Sequence, residues 1–328
     1  MPFHTRWIHH AATAAFFLVA AFFSSGVQAA FPERSVRIVV PFPPGGAVDS
    51  VARIVAGHLS QAWGTPVVVD NKAGAGGAIG VDAVAKAPKT GYELLLAPIG
   101  PMTINPSLYP RLPYDTVRDF EAIVLIAGTP SVLVVQPRLG VESAQQFVSL
   151  LKAKPGELNY GSAGSGNLTH LAAEYFLSQT QTRAVHVPYK GSAPAITDFL
   201  GGQLDFMFDV VPTALPHIQA GKFKPLAVTS LKRSPALPDV LTLNELGWRG
   251  FDVTSWWGLM APKGVPPDVV KSINAEVNRG LQLAAVRDAL TQLGANPLGG
   301  TPEEFGAHIQ AELRRWHEVV VRSGAKVE

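Results

Sequence analysis

Three glycine-rich turns hold the residue types best suited to chemistry in this chain: PFPPGGAVD at 41–49, NKAGAGG at 71–77 and YGSAGSGNLTH at 160–170. Each follows a short apolar run and precedes apolar residues at helical spacing. A glycine turn that opens a helix leaves the first backbone N–H groups without intrahelical partners, and the helix dipole adds partial positive charge. Such a turn suits a carboxylate or a phosphate. The third turn adds hydroxyls at Ser162, Ser165 and Thr169. None of the three is a nucleotide fingerprint, because no Lys-Ser or Lys-Thr follows the glycines and the GxGxxG spacing is absent. No Gly-x-Ser-x-Gly occurs, so Ser162 and Ser165 lack the strained elbow of a hydrolase nucleophile. The chain has no cysteine, which excludes disulfides, thiol catalysis and iron–sulfur clusters, and its histidines form no HExxH or i,i+4 pair, so neither metal nor cofactor is expected.

Single residues around the turns carry two readings each. Asp49, in the first turn of its helix, serves as a cap favoured by the dipole or orients a water or ligand amine. His170 either packs within its helix or touches a ligand directly. Asp209, at the end of LDFMFD, contacts a ligand N–H or O–H or satisfies a neighbouring amide. Phe42, Tyr189 and Trp257 are candidates for an apolar wall, with core packing the simpler reading for Trp257. Lys190 either adds positive potential or is solvated.

The elements that must position these groups alternate between strand and helix. Residues 35–41, 67–69 and 92–97 read as strands, with helices after the first two. A second series runs through strands at 131–136, 158–160, 184–187, 204–208 and 225–230 and helices near 144–152, 168–178 and 193–200. Nearly continuous apolar strands joined by helices imply an α/β protein with parallel sheets covered on both faces. Two closing helices, 267–292 with a break near Gly280 and 302–321, have no strands of their own and are expected to pack back on the first sheet. The chain would then cross between halves near 128–131 and again near 253–258. Two crossings make a hinge.

Ahead of all this, Arg6 and three histidines precede an apolar run at 11–23, which ends in small residues up to Ala29 and Ala30. This is the pattern of a cleaved secretory leader, so residues 1–30 are set aside and the mature chain is expected to be exported to the periplasm. Lys and Arg number 27 against 25 Asp and Glu, with no basic run, which leaves nucleic acid without a footprint.

Several stretches resemble the Bug family, the extracytoplasmic solute-binding receptors of tripartite tricarboxylate transporters: PFPPGGAVD, DNKAGAGGAIG, INPSLYPRLPYD, LNYGSAGSGNLTHLAAEYF, VPYKGSAPAITDFLGGQLDFMFD and WWGLMAP. The resemblance implies a two-lobed type 2 periplasmic-binding-protein (flytrap) fold with two hinge crossings. One lobe would comprise 31–129 and 256–328 and the other 130–255. It implies a non-enzymatic, monomeric receptor for a small carboxylate that serves membrane transporter subunits or a sensor. The ligand would be held by Phe42, Gly45, Gly46, Ala47, Asp49 and Gly76 from one lobe and Ser162, Gly164, Ser165, Gly166, Asn167, His170, Tyr189 and Asp209 from the other. Asn167 stands where relatives often carry Ser or Thr, and residues 98–103 are expected to set distal specificity. The competing reading, a secreted α/β hydrolase or lyase acting on an organic acid, would need a nucleophile or base with an orienting partner.

Overall fold

A computed structural model describes residues 31–189 and 191–323. Residues 1–30, on which the expected leader falls, and Lys190 lie outside the described residues. In chain order the elements are β1 (Val36–Val40), α1 (Ala47–Trp63), β2 (Val67–Asn71), α2 (Ala78–Ala85), β3 (Glu93–Pro98), α3 (Asn105–Leu108), β4 (Phe120–Val135), α4 (Ala144–Ala153), β5 (Asn159–Ser162) and α5 (Leu168–Thr180). They continue with β6 (Val185–Pro188), α6 (Ser192–Leu200), β7 (Phe206–Val210), α7 (Val211–Gln219), β8 (Lys224–Val228), β9 (Thr254–Pro262), α8 (Pro267–Gln282), α9 (Ala284–Gln292), β10 (Asn296–Pro297) and α10 (Pro302–Ser323).

Local chemistry sets these boundaries. Helix α1 buries Val51, Ala52, Val55, Ala56 and Leu59 on one stripe and stops at Gly64, whose φ of 63° few other residues adopt without strain. Helix α10 starts in a capping box: Thr301 N–H donates to Glu304 Oε2 at 2.8 Å and Glu304 N–H to Thr301 Oγ1 at 3.1 Å. The 267–292 segment breaks at Leu283, which is extended (φ −74°, ψ 133°), and not at Gly280. Gly280 is helical, and a Cβ there would sit 2.4 Å from the His58 ring. Its role is close approach between α8 and α1.

The strands form two halves that share β4. In the first, β2, β1 and β3 run parallel, β9 is antiparallel to β3, and β4 is antiparallel to β9 and so runs in the direction of β3. In the second, β6, β5 and β7 run parallel, β4 is antiparallel to β7, and β8 is antiparallel to β4 and so runs in the direction of β7. The expectation of wholly parallel sheets is therefore corrected. Strands that enter a half from the other one need no crossover helix, so they are free to run the opposite way.

Strand β4 is the first crossing and is longer than the sequence suggests, beginning at Phe120 instead of near residue 131. Residues Phe120 to Pro130 pair with β9, and Ser131 to Val135 pair with β7. Pro130, which has no N–H, sits where the partners change. The second crossing lies between Val253, which donates to Thr229 O in the second half, and Thr254, the first residue of β9. Thr229 fastens the two crossings together. Its buried Oγ1 accepts from Ser131 N–H at 2.9 Å and lies within hydrogen-bond reach of Val253 O. The closing helices pack on the first sheet as expected, but α10 also lies against α5 of the second half. One apolar core consequently runs through Leu108, Leu171, Phe176, Ile309 and Trp316.

Candidate functional site

Strand register decides where the three turns lie. At the carboxyl end of β3, Pro98 pairs with Trp257, three residues or about 10 Å along β9 from the Thr254 crossing. At the carboxyl end of β7, Val210 pairs with Ser131, the residue at which β4 changes halves. The carboxyl edges of both parallel sets therefore abut the crossings from opposite sides. Open α/β sheets bind ligands beyond such edges. The turns after β1 and β2 and residues 99–104 extend from one edge. The turn after β5, together with Tyr189 and Asp209, extends from the other.

Side chains brought from distant positions shape the first turn. Asp49 Oδ2 accepts from Gly45 N–H at 2.9 Å and Arg53 Nε at 2.9 Å, and Asp49 Oδ1 accepts from Asn71 Nδ2 at 3.0 Å. Asn71 also donates to Phe42 O at 3.0 Å. Burial alone would raise the Asp49 pKa, but the hydrogen bonds from Arg53, Gly45 and Asn71 outweigh it and hold the carboxyl below its usual range. Asp49 is thus the brace of the turn and Gly45 N–H is already occupied. What remains is the opening of α1, where Gly46, Ala47 and Val48 have no side-chain cap. Gly45 and Gly46 are exposed, and a Cβ on either would meet nothing within 4 Å.

The second turn carries four consecutive positive φ values, at Gly74, Ala75, Gly76 and Gly77. A Cβ on Gly77 would lie 2.6 Å from Pro101 and 3.5 Å from the Phe42 ring, so this turn wedges between the first turn and the segment after β3. Gly76 is exposed, and its carbonyl accepts from Asn105 Nδ2 at 3.0 Å. That contact ties the turn to α3, whose Leu108 reaches across to the second half. A Cβ on Gly166 would be 2.5 Å from Leu108 Cδ1. Through Phe42, Gly77, Asn105, Leu108 and Gly166, the three turns are connected by contact.

The third turn is largely bonded to itself. Gly164 N–H donates to Ser162 Oγ at 3.2 Å, Ala163 N–H to Thr169 Oγ1 at 2.9 Å, Gly166 N–H to His170 Nδ1 at 3.0 Å and Asn167 N–H to Gly164 O at 3.1 Å. Asn167 caps α5 through Oδ1, which accepts from Thr169 N–H at 3.1 Å. Ser162 is fully buried, with Oγ 2.6 Å from His186 Nε2. Ser165 is exposed and takes part in none of these bonds. Within the third turn, then, the hydroxyl and amide of Ser165 are the donors left over, whereas Gly164 and Gly166 supply conformation, at φ 130° and 73°.

The remaining candidates are engaged within the protein. Asp209 is fully buried and accepts from Ser192 Oγ at 2.9 Å, Thr213 Oγ1 at 2.6 Å and Val210 N–H at 2.9 Å, while desolvation still raises its pKa. Tyr189 is half-buried and donates to Asp198 Oδ2 at 2.6 Å. Burial, then that bond, pushes its pKa up to about 12. Trp257 is buried at 3 % exposure, as core packing requires. Thr103 in the 98–103 segment is buried and bonded to Ile99 O at 2.9 Å, so its hydroxyl is occupied, whereas a Cβ on Gly100 would meet open space. Sequence reasoning missed Arg53, Asn105, Leu108 and His186. A hollow of about 240 Å³ beside Phe120 and Met260 lies at the other end of the strands, away from all three turns.

A family model described as "Tripartite tricarboxylate transporter family receptor" matches residues 51–324. The chain belongs to that receptor family. It is 38 % identical to the protein BugT of Bordetella pertussis over 314 residues, covering 95 % of this chain and 96 % of BugT. Among solved structures it is similar to Rpa4515 of R. palustris with adipate (TM-score 0.80, 36 % identity, 90 % and 99 % covered). It is also similar to MatC from Rhodopseudomonas palustris with bound malate (TM-score 0.76, 33 % identity, 88 % and 100 % covered). The two-lobed α/β architecture and Bug-type solute-receptor membership follow from these matches.

Proposed function

We propose that this receptor captures a small organic acid in the periplasm, between the two carboxyl edges, and passes it to membrane transporter subunits or a sensor. One carboxylate would lie on the opening amides of α1 at Gly46 and Ala47, with Ser165 donating from the opposite half and Phe42 covering the ligand body. The observation that carries this reading is the register that sets both edges against the crossings, with uncapped donors left at the first. Solved structures of relatives with adipate and with bound malate favour a dicarboxylate. Micromolar affinity needs about −8 kcal/mol. Hydrogen bonds to a charged group contribute roughly 1.5–3 kcal/mol each, so a few donors divided between the edges are enough. Neither edge requires an arginine clamp. The enzyme reading would have to use Ser162 with His186, but that hydroxyl is sealed at 0 % exposure beneath Gly164.

Calorimetric titration of the mature protein with adipate, malate and monocarboxylates tests this. Gly46 has φ −84° and open space at its Cβ, so Gly46→Val leaves the backbone unstrained while covering the amide. The expected result is stoichiometric binding of at least one acid, recovered unchanged, and a weakening of tenfold or more in the variant with no loss of ligand-free Tm. Turnover of the acid, or unaltered affinity in Gly46→Val, would overturn the reading.

A further inference from the structure

Beneath the third turn lies a pair of imidazoles that the ligand-binding scheme does not use. The rings of His170 on α5 and His186 on β6 stack with centroids 3.9 Å apart and planes 9° apart. Tyr160 on β5 covers His186 at 4.9 Å. Each histidine holds a different part of the turn. His170 Nδ1 accepts Gly166 N–H at 3.0 Å, which requires that nitrogen to be unprotonated and places the ring proton on Nε2. His186 Nε2 lies 2.6 Å from Ser162 Oγ, the atom that receives Gly164 N–H. The turn therefore takes its shape from two ring nitrogens, one on each side of Ser165.

We propose that His170 is a positioning residue for ligand binding: its Nδ1, which accepts Gly166 N–H, fixes that residue and so directs the Ser165 donors toward the opposite half. The inference rests on the reading of Ser165 as a ligand donor. A proton taken from solvent onto Nδ1 would set N–H against N–H at Gly166 and expel that amide from its bond. His186 is less sensitive, because a protonated Nε2 can donate to Ser162 Oγ while the hydroxyl turns to Gly164 O, 3.2 Å away. The ionisable groups around His170 are His186 at 3.9 Å, Glu174 with Oε1 3.9 Å from Nε2, and Tyr160 at 6.3 Å, whose hydroxyl donates to the same Glu174 oxygen. Desolvation, then the neighbouring His186, lowers the His170 pKa to about 4.

Histidine-labelled NMR of the ligand-free protein, combined with hydrogen exchange at Gly166, tests the proposal without reference to any ligand. His170 should show the Nε2–H tautomer and remain neutral through pH 5, and Gly166 exchange should rise as the ring titrates. His170→Phe should raise Gly166 exchange tenfold or more, and His170→Asn, whose Oδ1 stands where Nδ1 does, should restore most of the protection. Malate or adipate binding at pH 7 should then weaken tenfold or more in His170→Phe. A His170 midpoint near 6.5, an Nδ1–H tautomer, or unchanged Gly166 exchange in His170→Phe would overturn the proposal. Wild-type protein that binds neither of these acids nor a monocarboxylate, while the tautomer and exchange behave as expected, would sink the Ser165 donor reading and leave the histidine's hold on the turn established. Wild-type binding retained by His170→Phe despite lost Gly166 protection would sink the positioning role alone.

Discussion

Replacing Thr229 with valine keeps the shape of the side chain and removes only the hydroxyl that joins the two crossings. Ser131 N–H then loses its acceptor at 2.9 Å in a site where both residues are fully buried, and Val253 O loses a donor. The main-chain bonds survive: Thr229 N–H still reaches Ser131 O at 2.9 Å and Val253 N–H still reaches Thr229 O at 3.0 Å. An orphaned buried N–H costs about 1–3 kcal/mol and the lost carbonyl bond about 1 more, so a destabilisation of roughly 2–4 kcal/mol is expected. With a urea slope near 3 kcal/mol/M, the unfolding midpoint should fall by about 1 M with no change in slope. Thr229→Ser is the control, since it retains the hydroxyl and loses one methyl, a cost of about 1 kcal/mol. Valine as stable as wild type, or serine more damaging than valine, would refute the idea that this hydroxyl fastens the crossings.

Gly166→Ala places a methyl 2.5 Å from Leu108 Cδ1 at a φ of 73°. It should cost about 1–3 kcal/mol, and adding Leu108→Ala should recover the steric part, giving a coupling above 0.5 kcal/mol in a double-mutant cycle; strict additivity would deny the contact. Asp49→Asn should loosen the first turn by about 1–2 kcal/mol, seen as faster exchange at Gly45, because an amide cannot accept from Arg53, Gly45 and Asn71 together. As the Asp49 pKa is lowered, its contribution is present above the ordinary carboxyl pKa and fades as pH falls through the native one. For His170 the unfolded ring takes its proton near pH 6.5 and the folded ring not until about 4. Stability should be complete above that window and decline by ~3 kcal/mol on this ring's account as pH drops through it, with His186, lowered likewise, adding to the fall, measured by urea unfolding at several pH values. A flat profile would place the ring in solvent.

The alternation of strands and helices was legible because apolar runs and helical stripes are local properties. The helix beginning at Leu168 and the strand beginning at Val67 fall where the pattern puts them. The first eleven residues of β4 were not read as part of that strand, since the sequence marks 128–131 only as a crossing, and it is pairing to β9 that carries one strand from Phe120 through it. The turns were likewise visible as glycine clusters, but the division of labour within them was not. Asp49 meets Asn71 across 22 residues and Ser162 meets His186 across 24, so which polar side chains brace a turn and which remain for a ligand depends on contacts that no local spacing encodes. His186 illustrates the limit: in HVP it is one polar residue in a short edge strand, without any local sign of the stack it forms.

Pro130 bears on how the molecule would move. An ordinary residue at the changeover in β4 would offer a ladder donor to one sheet or the other, and any swing of the halves would strain or rupture that bond. Proline offers none. Rotation at this point therefore needs no hydrogen bond to be sacrificed on its account, and resistance to bending falls to neighbouring threonines and side-chain packing. One link between the halves thus carries no ladder donor of its own, one residue ahead of the staple that limits its travel.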